Sequence, residues 1–308
     1  MLKRTIEVST DGTRLFLRAK QLVIERDGEE LASVPFDDLG FLVLTSHGVS
    51  ITSGALRACA EYNVAVISCA ENFLPAGLHL PLSANSLHAE RLNAQVAASQ
   101  PLRKQLWSRI VNAKLRMQAA NLAEGPARGR ILAMAGDVRS GDPDNLEAQG
   151  ARVYWGELFS GVELPEPFRR EQDGPPPNGL LNYGYAIVRA CIARALVAAG
   201  LHPALGLHHQ NRYNAFCLAD DLIEPFRPFV DARVRELAED GELEVNKDTK
   251  RPLLALLAEK LTVGGEQSPL MIGAQRSANS LSNILVEAVK GEDTSAPKLA
   301  DLLELPGT

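Results

Sequence analysis

A chain of 308 residues is long enough for one large or two ordinary domains, and 45% hydrophobic residues supply a sizeable core. The formal net charge of −6 argues mildly against nucleic acid as a partner, but whole-chain charge is a poor guide because local fields guide DNA. The start, MLKRTIEVST, lacks the apolar run of a signal peptide, and no stretch approaches the roughly 20 apolar residues of a membrane helix. Cys59, Cys69, Cys191 and Cys217 show no CxxC spacing, so reduced, buried thiols in a cytoplasmic protein are expected.

The first segment reads as strands. TIEVST, RLFLRAKQLVIER, FLVLTSH and NVAVISC are short and rich in Val, Ile, Leu and Phe, and Asp11-Gly12, Asp27-Gly28 and His47-Gly48 punctuate them. Asp27-Gly28 between LVIER and EELASV predicts a hairpin. Ser53 is the expected cap of a short helix, SGALRACAEY. His47 and His79 lack a partner at metal-ligand spacing and read as surface or turn residues. PLSAN, 81 to 85, reads as a linker.

Beyond it the texture becomes helical. LHAERLNAQVAAS and PLRKQLWSRIVNAKLRMQAANLAEG carry apolar residues at helical intervals, with Pro101 at a start and Gly125 at an end. Six basic residues (Arg91, Arg103, Lys104, Arg109, Lys114 and Arg116) face a single acid, Glu90, between Ser86 and Arg116. That cluster is either a solvated face or a surface that tracks phosphates. Trp107 reads as core. Asp142 before Pro143 predicts a helix cap, with Glu147 in the early turns among Ala148, Gly150 and Ala151. FRREQDGPPPNG, 168 to 179, reads as a connector, and 178 to 199 as a long apolar helix carrying Arg189 and Arg194. LLALLAEKL and QRSANSLSNILVEAVKG read as packing helices, and the tail from Gly291 is low in order signals. The whole is an α+β chain: a small β-rich domain over 1–82, then a larger all-α domain over 86–308.

The densest chemistry lies in LHPALGLHHQNRYNAFCLADDLIEPFRPFVD, 201 to 231. Asp220 with Glu224, and Asp221 with Glu224, sit at helical spacing on one face. Such a face holds a divalent cation if the preceding loop brings in a histidine; otherwise it is a solvated acidic face. Pro225 disfavours helical backbone at Glu224 and removes a helix hydrogen bond, leaving open a kink there or a new helix start.

GLHHQN followed by LADDLIEPFRPFVD resembles the signature of the CRISPR-associated spacer integrase, the metal-dependent nuclease of the adaptation step, in a variant like that of type II systems. NGLLNYGYAIVRACIARAL, 178 to 196, resembles the family's preceding helix, and Glu147 in NLEAQGARVYWGELF fits the upstream acid. The resemblance implies an Mg²⁺ or Mn²⁺ held by Glu147, His209 and Glu224. It implies supporting roles for Asp220, Asp221, Arg227 and His208, with Asp221 the rival of Glu224 as ligand. It assigns DNA contacts to Arg91, Arg103, Lys104, Arg109, Lys114, Arg116 and Arg189. It further implies a β-rich dimerisation domain, a helical catalytic domain, and a homodimer that forms a heterohexamer with a small ferredoxin-like adaptation partner. The expected reaction is transesterification: a free 3′-hydroxyl of a short DNA fragment attacks the edge of the repeat array. The alternatives are a structure-specific nuclease without integration and a non-catalytic DNA-binding scaffold.

Overall fold

The structure is a computed structural model that describes residues 3–82, 84–291 and 299–307. The chain divides into two compact units, Met1–Ser86 and Leu87–Thr308.

The first unit contains β1 (Arg4–Val8), β2 (Thr13–Arg18), β3 (Gln21–Arg26), β4 (Glu29–Pro35), β5 (Leu39–Leu44), β6 (Ser50–Ile51), α1 (Ser53–Glu61), β7 (Ala65–Cys69) and β8 (Pro75–His79). They build two four-stranded sheets, in the orders β4-β3-β2-β6 and β1-β5-β7-β8. The first three strands of the second sheet run parallel and β8 runs antiparallel. Asp27 and Gly28 both take positive φ and turn β3 into β4, pairing Arg26 with Glu29 as the expected hairpin requires. A second tight turn at Ala19-Lys20, also at positive φ, splits RLFLRAKQLVIER into β2 and β3. The helix cap lies one residue earlier than expected. Thr52, in extended backbone, accepts from the Ala55 amide, three residues on, while Ser53 is already helical. Leu15, Leu22, Phe36, Leu39, Leu42 and Cys59 close the core of this unit.

The second unit contains α2 (His88–Ala97), α3 (Gln100–Ala120), α4 (Pro126–Asp137), α5 (Leu146–Glu157), α6 (Asn178–Ala198), α7 (Cys217–Leu222), α8 (Arg227–Glu239), α9 (Lys247–Ala255), β9 (Lys260–Val263), β10 (Glu266–Pro269) and α10 (Leu270–Lys290). The hairpin of β9 and β10 corrects the expectation of an all-α domain. Gly264 and Gly265, both at positive φ, turn LTV back on EQS, and Val263 also bridges to Pro306. Of the tail expected from Gly291 onward, residues 292–298 lie outside the described residues.

Helix α6 is the core of the unit. By length and composition it is apolar enough to cross a membrane, so the expectation that no such stretch exists was too strict. Its most apolar window is 78% buried inside the protein, which accounts for that composition without a bilayer. Gly184 of α6 lets α8 approach: a Cβ there would stand 2.4 Å from Val230 Cγ1. That closeness brings α8, and the turn before it, onto α6.

Candidate active site

Three segments converge on one point of the helical unit: the middle of α3, the start of α5, and the turn between α7 and α8. Pro225 decides the third. Helix α7 stops at Leu222, Glu224–Phe226 form a single 3₁₀ turn, and α8 starts afresh at Arg227. Glu224 therefore sits at a break between two helices, buried to 7% exposure. Arg227 Nε donates to its Oε1 at 2.9 Å, while its Oε2 stands 2.6 Å from Lys114 Nζ. The latter contact lies outside hydrogen-bond alignment, so Glu224 Oε2 is a buried acceptor with no hydrogen-bond partner among the described residues. Burial pushes the Glu224 carboxyl up, but Arg227 and Lys114 outweigh it and hold it down at about 2.

Glu147 reaches the same ammonium through its Oε1. The predicted cap works from a different geometry here. Asp142 does accept the first amides of α5, from Leu146 at 2.9 Å and Glu147 at 3.0 Å. Pro143, however, lies in the preceding turn rather than in the helix, and Asn145 enters α5 in the left-handed region. The small residues around Glu147 serve packing: a Cβ on Gly150 would stand 2.2 Å from Leu115 Cδ2. That missing side chain lets α5 close on α3 and places Glu147 against Lys114, the neighbour of Leu115.

Lys114 is thus not the solvent-facing phosphate contact that the sequence suggested. It is buried to 7% exposure and bridges two acids. Burial pulls its ammonium down, but the charges of Glu224 and Glu147 prevail and hold it above its ordinary value.

The histidine pair is built around Asp221. This carboxylate has no exposed surface, and it accepts the amides of Leu207 (2.6 Å), His208 (3.1 Å) and His209 (3.1 Å). Its Oδ1 also lies 2.6 Å from His209 Nδ1. Both oxygens are committed, so Asp221 shapes the loop and orients the ring. With Nδ1–H donating to Asp221, Nε2 is the nitrogen that carries the free lone pair. The hydrogen bond to Asp221 raises the pKa of His209 against the effect of its own burial. Gly206 makes this wrap possible: a Cβ there would lie 2.2 Å from the His209 carbonyl oxygen and 2.9 Å from Asp221 Oδ2. His208 stacks flat on buried Trp107, with centroids 4.2 Å apart and planes 6° apart, and His209 meets the same indole edge-on. Asp220 takes a different partner. Arg189 grips it through two nitrogens at 2.6 and 2.9 Å, and Asn214 joins them.

The other basic candidates separate. Arg103 and Lys104 line a cleft of about 500 Å³ with Trp107, Gly141, His208 and Gln210. Arg91 donates to the Ala199 carbonyl, Arg109 pairs with Asp301, and Arg116 donates to Asn112. Arg189 is engaged with Asp220, so its guanidinium supports the loop rather than standing free. Behind Glu224 lies a cluster that the sequence did not disclose. Asp231, fully buried, accepts the hydroxyls of Tyr154 (3.1 Å) and Tyr185, and Arg227 lies over the Tyr185 ring. Burial pushes the Asp231 carboxyl up to about 7 against the pull of both phenols.

Among the described residues no three His, Cys, Asp or Glu side chains form a ready-made metal site. Two carboxylates nevertheless converge on one cation, the Lys114 ammonium, and one of them, Glu224, lies within electrostatic reach of the oriented His209 imidazole. The class so defined is a strand-rich unit followed by a helical unit that carries an acidic, cation-holding site. The comparisons specify it. Residues 6–261 match the family described as CRISPR associated protein Cas1. The chain is 35% identical to the CRISPR-associated endonuclease Cas1 of Neisseria meningitidis over 96% of its own length and 95% of that protein. The chain belongs to the CRISPR-associated Cas1 family. Its fold is shared with a casposase bound to integration product (TM-score 0.76, 21% identity, covering 96% of this chain and 93% of that one). A Cas6-RT-Cas1–Cas2 complex shows it too (TM-score 0.75, 15% identity, covering 93% of this chain and 35% of that one).

Proposed function

We propose that the chain is the DNA integrase and endonuclease of CRISPR adaptation, of the type II-like variant, acting with a divalent cation. The observation that supports this reading is the convergence of Glu147 and Glu224 on a single cation position, with the Asp221-oriented His209 within electrostatic reach of Glu224. The donor set fits Mg²⁺ or Mn²⁺ in kind: two hard carboxylates, one of them with a buried oxygen held only by the Lys114 ammonium, and an imidazole with Nε2 available. Glu147, Glu224 and His209 would hold the ion. When bound, a divalent cation polarises the phosphoryl oxygen and lowers the pKa of the attacking hydroxyl.

The protein's own groups do the rest. Asp221 fixes the ring of His209, and Arg227 pins Glu224 Oε1 so that Oε2 points inward. Arg103 and Lys104, on the cleft beside His208, supply positive charge for the backbone of the DNA end. In the reaction the 3′-oxygen forms a new bond to phosphorus and gives up its proton, one P–O bond of the repeat strand breaks, and the departing 3′-oxygen of that strand takes up a proton, so one hydroxyl is consumed and one is freed. Bond energy is conserved, so no nucleotide cofactor is required. The relatives' names favour the same reading: an endonuclease at 35% identity, and a fold neighbour bound to an integration product. The neighbour in a complex with Cas2 is consistent with an adaptation partner of that kind; the family resemblance adds that the partner is small and ferredoxin-like, and that homodimers of this chain join with it into a heterohexamer in the cytoplasm.

The test is strand transfer with a labelled fragment and a supercoiled repeat plasmid. Joined product is expected with Mg²⁺ or Mn²⁺ and none with EDTA. Glu147→Ala, His209→Ala and Glu224→Ala should each abolish joining while remaining folded. Cleavage without joining establishes the nuclease without integration. Binding with neither joining nor cleavage establishes the scaffold.

A further inference from the structure

Lys114 is the best-buried cation beside the site, and its surroundings are acidic on both sides. Helix α3 presents it by arithmetic: Lys114 lies seven residues beyond Trp107 and eleven beyond Arg103, so all three share one face. The face that reaches His208 through Trp107 therefore reaches the carboxylates through Lys114. The ammonium sits between Glu147 Oε1 and Glu224 Oε2, with only 9% of its side chain exposed. Two acids drawn this close repel each other unless a positive charge lies between them. Arg227 serves the far oxygen of Glu224, so Lys114 supplies the charge on the near side.

Building on the reading of Glu147 and Glu224 as cation ligands, we propose that Lys114 is a displaceable internal counter-cation. Its ammonium holds the two carboxylates together in the metal-free protein, and it must leave before a divalent cation can take both oxygens. The apparent affinity for metal is then set by an exchange of one cation for another rather than by filling a vacant cage. The exchange is geometrically feasible because lysine is a flexible stem bearing a point charge, and its two ion pairs, to Glu147 Oε1 and Glu224 Oε2, are the bonds that the incoming cation replaces. An arginine at this place, with its planar fork, would lock onto the pair instead.

Two measurements on the full chain test this. In the unaltered protein, the reactivity of Lys114 toward an amine-acetylating reagent is followed by mass spectrometry, in EDTA and in saturating Mn²⁺. Protection in EDTA and clear exposure in Mn²⁺ are expected. In parallel, Mn²⁺ binding to wild type, Lys114→Met and Glu147→Gln is measured by the free-ion electron spin resonance signal. Loss of the competing ammonium should tighten binding by roughly tenfold, the equivalent of about 1.4 kcal/mol. The Lys114→Met protein should also melt lower than wild type in EDTA, and Mn²⁺ should recover more of its melting temperature.

The outcomes separate the two claims. If Mn²⁺ binds wild type and Glu147→Gln weakens it, the metal site stands. In that case unchanged Lys114 reactivity, or unchanged or weaker binding by Lys114→Met, overturns the proposal alone. If Mn²⁺ binds neither wild type nor Lys114→Met, the metal site falls and this inference falls with it. If Lys114→Met does not fold, the acetylation experiment on the unaltered protein decides.

Discussion

Removing the Asp221 carboxylate should damage stability and metal binding together, through the loop it organises. Asp221→Ala strands the amides of Leu207, His208 and His209, all of which the carboxylate accepts, and frees the His209 ring. An amide left unpaired in the interior costs about 1–3 kcal/mol. Three at face value would cost roughly 3–9 kcal/mol, and relaxation of the turn toward water brings the expectation to about 3–5 kcal/mol. That is a large part of a typical domain stability of roughly 5–15 kcal/mol. Loss of the group that orients a ligating imidazole should weaken Mn²⁺ by about 10–100-fold. Asp221→Asn keeps one acceptor and should lie between wild type and Asp221→Ala in both respects. Urea unfolding in EDTA gives the first quantity, and Mn²⁺ titration the second. Nitrogen-15 spectra of His209 should show Nδ1 protonated in wild type and a mixture of tautomers in the variant. The reasoning is refuted if Asp221→Ala unfolds within about 1 kcal/mol of wild type and binds Mn²⁺ equally well.

Gly206→Ala would drive a Cβ to 2.2 Å from the His209 carbonyl oxygen, so a marked loss of Mn²⁺ affinity and a lower melting temperature are expected in thermal scans with and without the ion. Asp231 makes stability depend on pH with a definite sign. Its carboxyl is raised by burial from 3.8 to about 7, so between those values the folded state alone keeps the proton. Its contribution is fully present below the unfolded value and is lost as pH rises through about 7; denaturation across pH 4–8 should show that decline in wild type and a flatter profile in Asp231→Asn. Reversing Arg103 and Lys104 to Glu should weaken DNA of every sequence about equally and shallow the salt dependence, by roughly 0.9 in slope for each duplex phosphate that is no longer neutralised. Normal binding by that double variant would remove the cleft beside His208 from the DNA path.

Where local chemistry dictates the backbone, the fold was legible. Asp27-Gly28 admits little other than a hairpin, and β3 and β4 pair across it. Ala19-Lys20 makes the equivalent turn without glycine or asparagine, so RLFLRAKQLVIER read as one run until cross-strand pairing with Leu22 and Val23 bent it. Gly264-Gly265 did carry a turn signal, flanked by LTV and EQS. Its strands are only four residues long and lie between helical patterns, which hid them. Helix α6 shows the converse ambiguity. Uniform apolarity is the signature of a helix surrounded on all sides, and composition cannot say whether protein or lipid surrounds it.

The site was legible as far as spacing within one segment could carry it. Asp221 and Glu224 are three residues apart, yet they do opposite things, and Pro225 is the reason. It ends the hydrogen-bond ladder of α7, so Glu224 turns toward α3 while Asp221 stays under the histidine loop. What no linear spacing discloses is where a charge is sent by tertiary packing. Lys114 belongs to a run of six basic residues that reads as one surface, but the run winds around a helix. Its members divide between a cleft, one exposed ion pair, hydrogen bonds to neutral groups and the carboxylate pair itself. One cue was present: Arg103, Trp107 and Lys114 fall on a single helical face, and a lysine in line with a core tryptophan must bury its stem. Where the ammonium is buried along with the stem it requires an acid as partner, and in this chain the acids at its end are Glu147 and Glu224. The same packing that closes Gly150 on Leu115 therefore gives the carboxylate pair an occupant of its own, the one with which a divalent ion competes in the exchange proposed above.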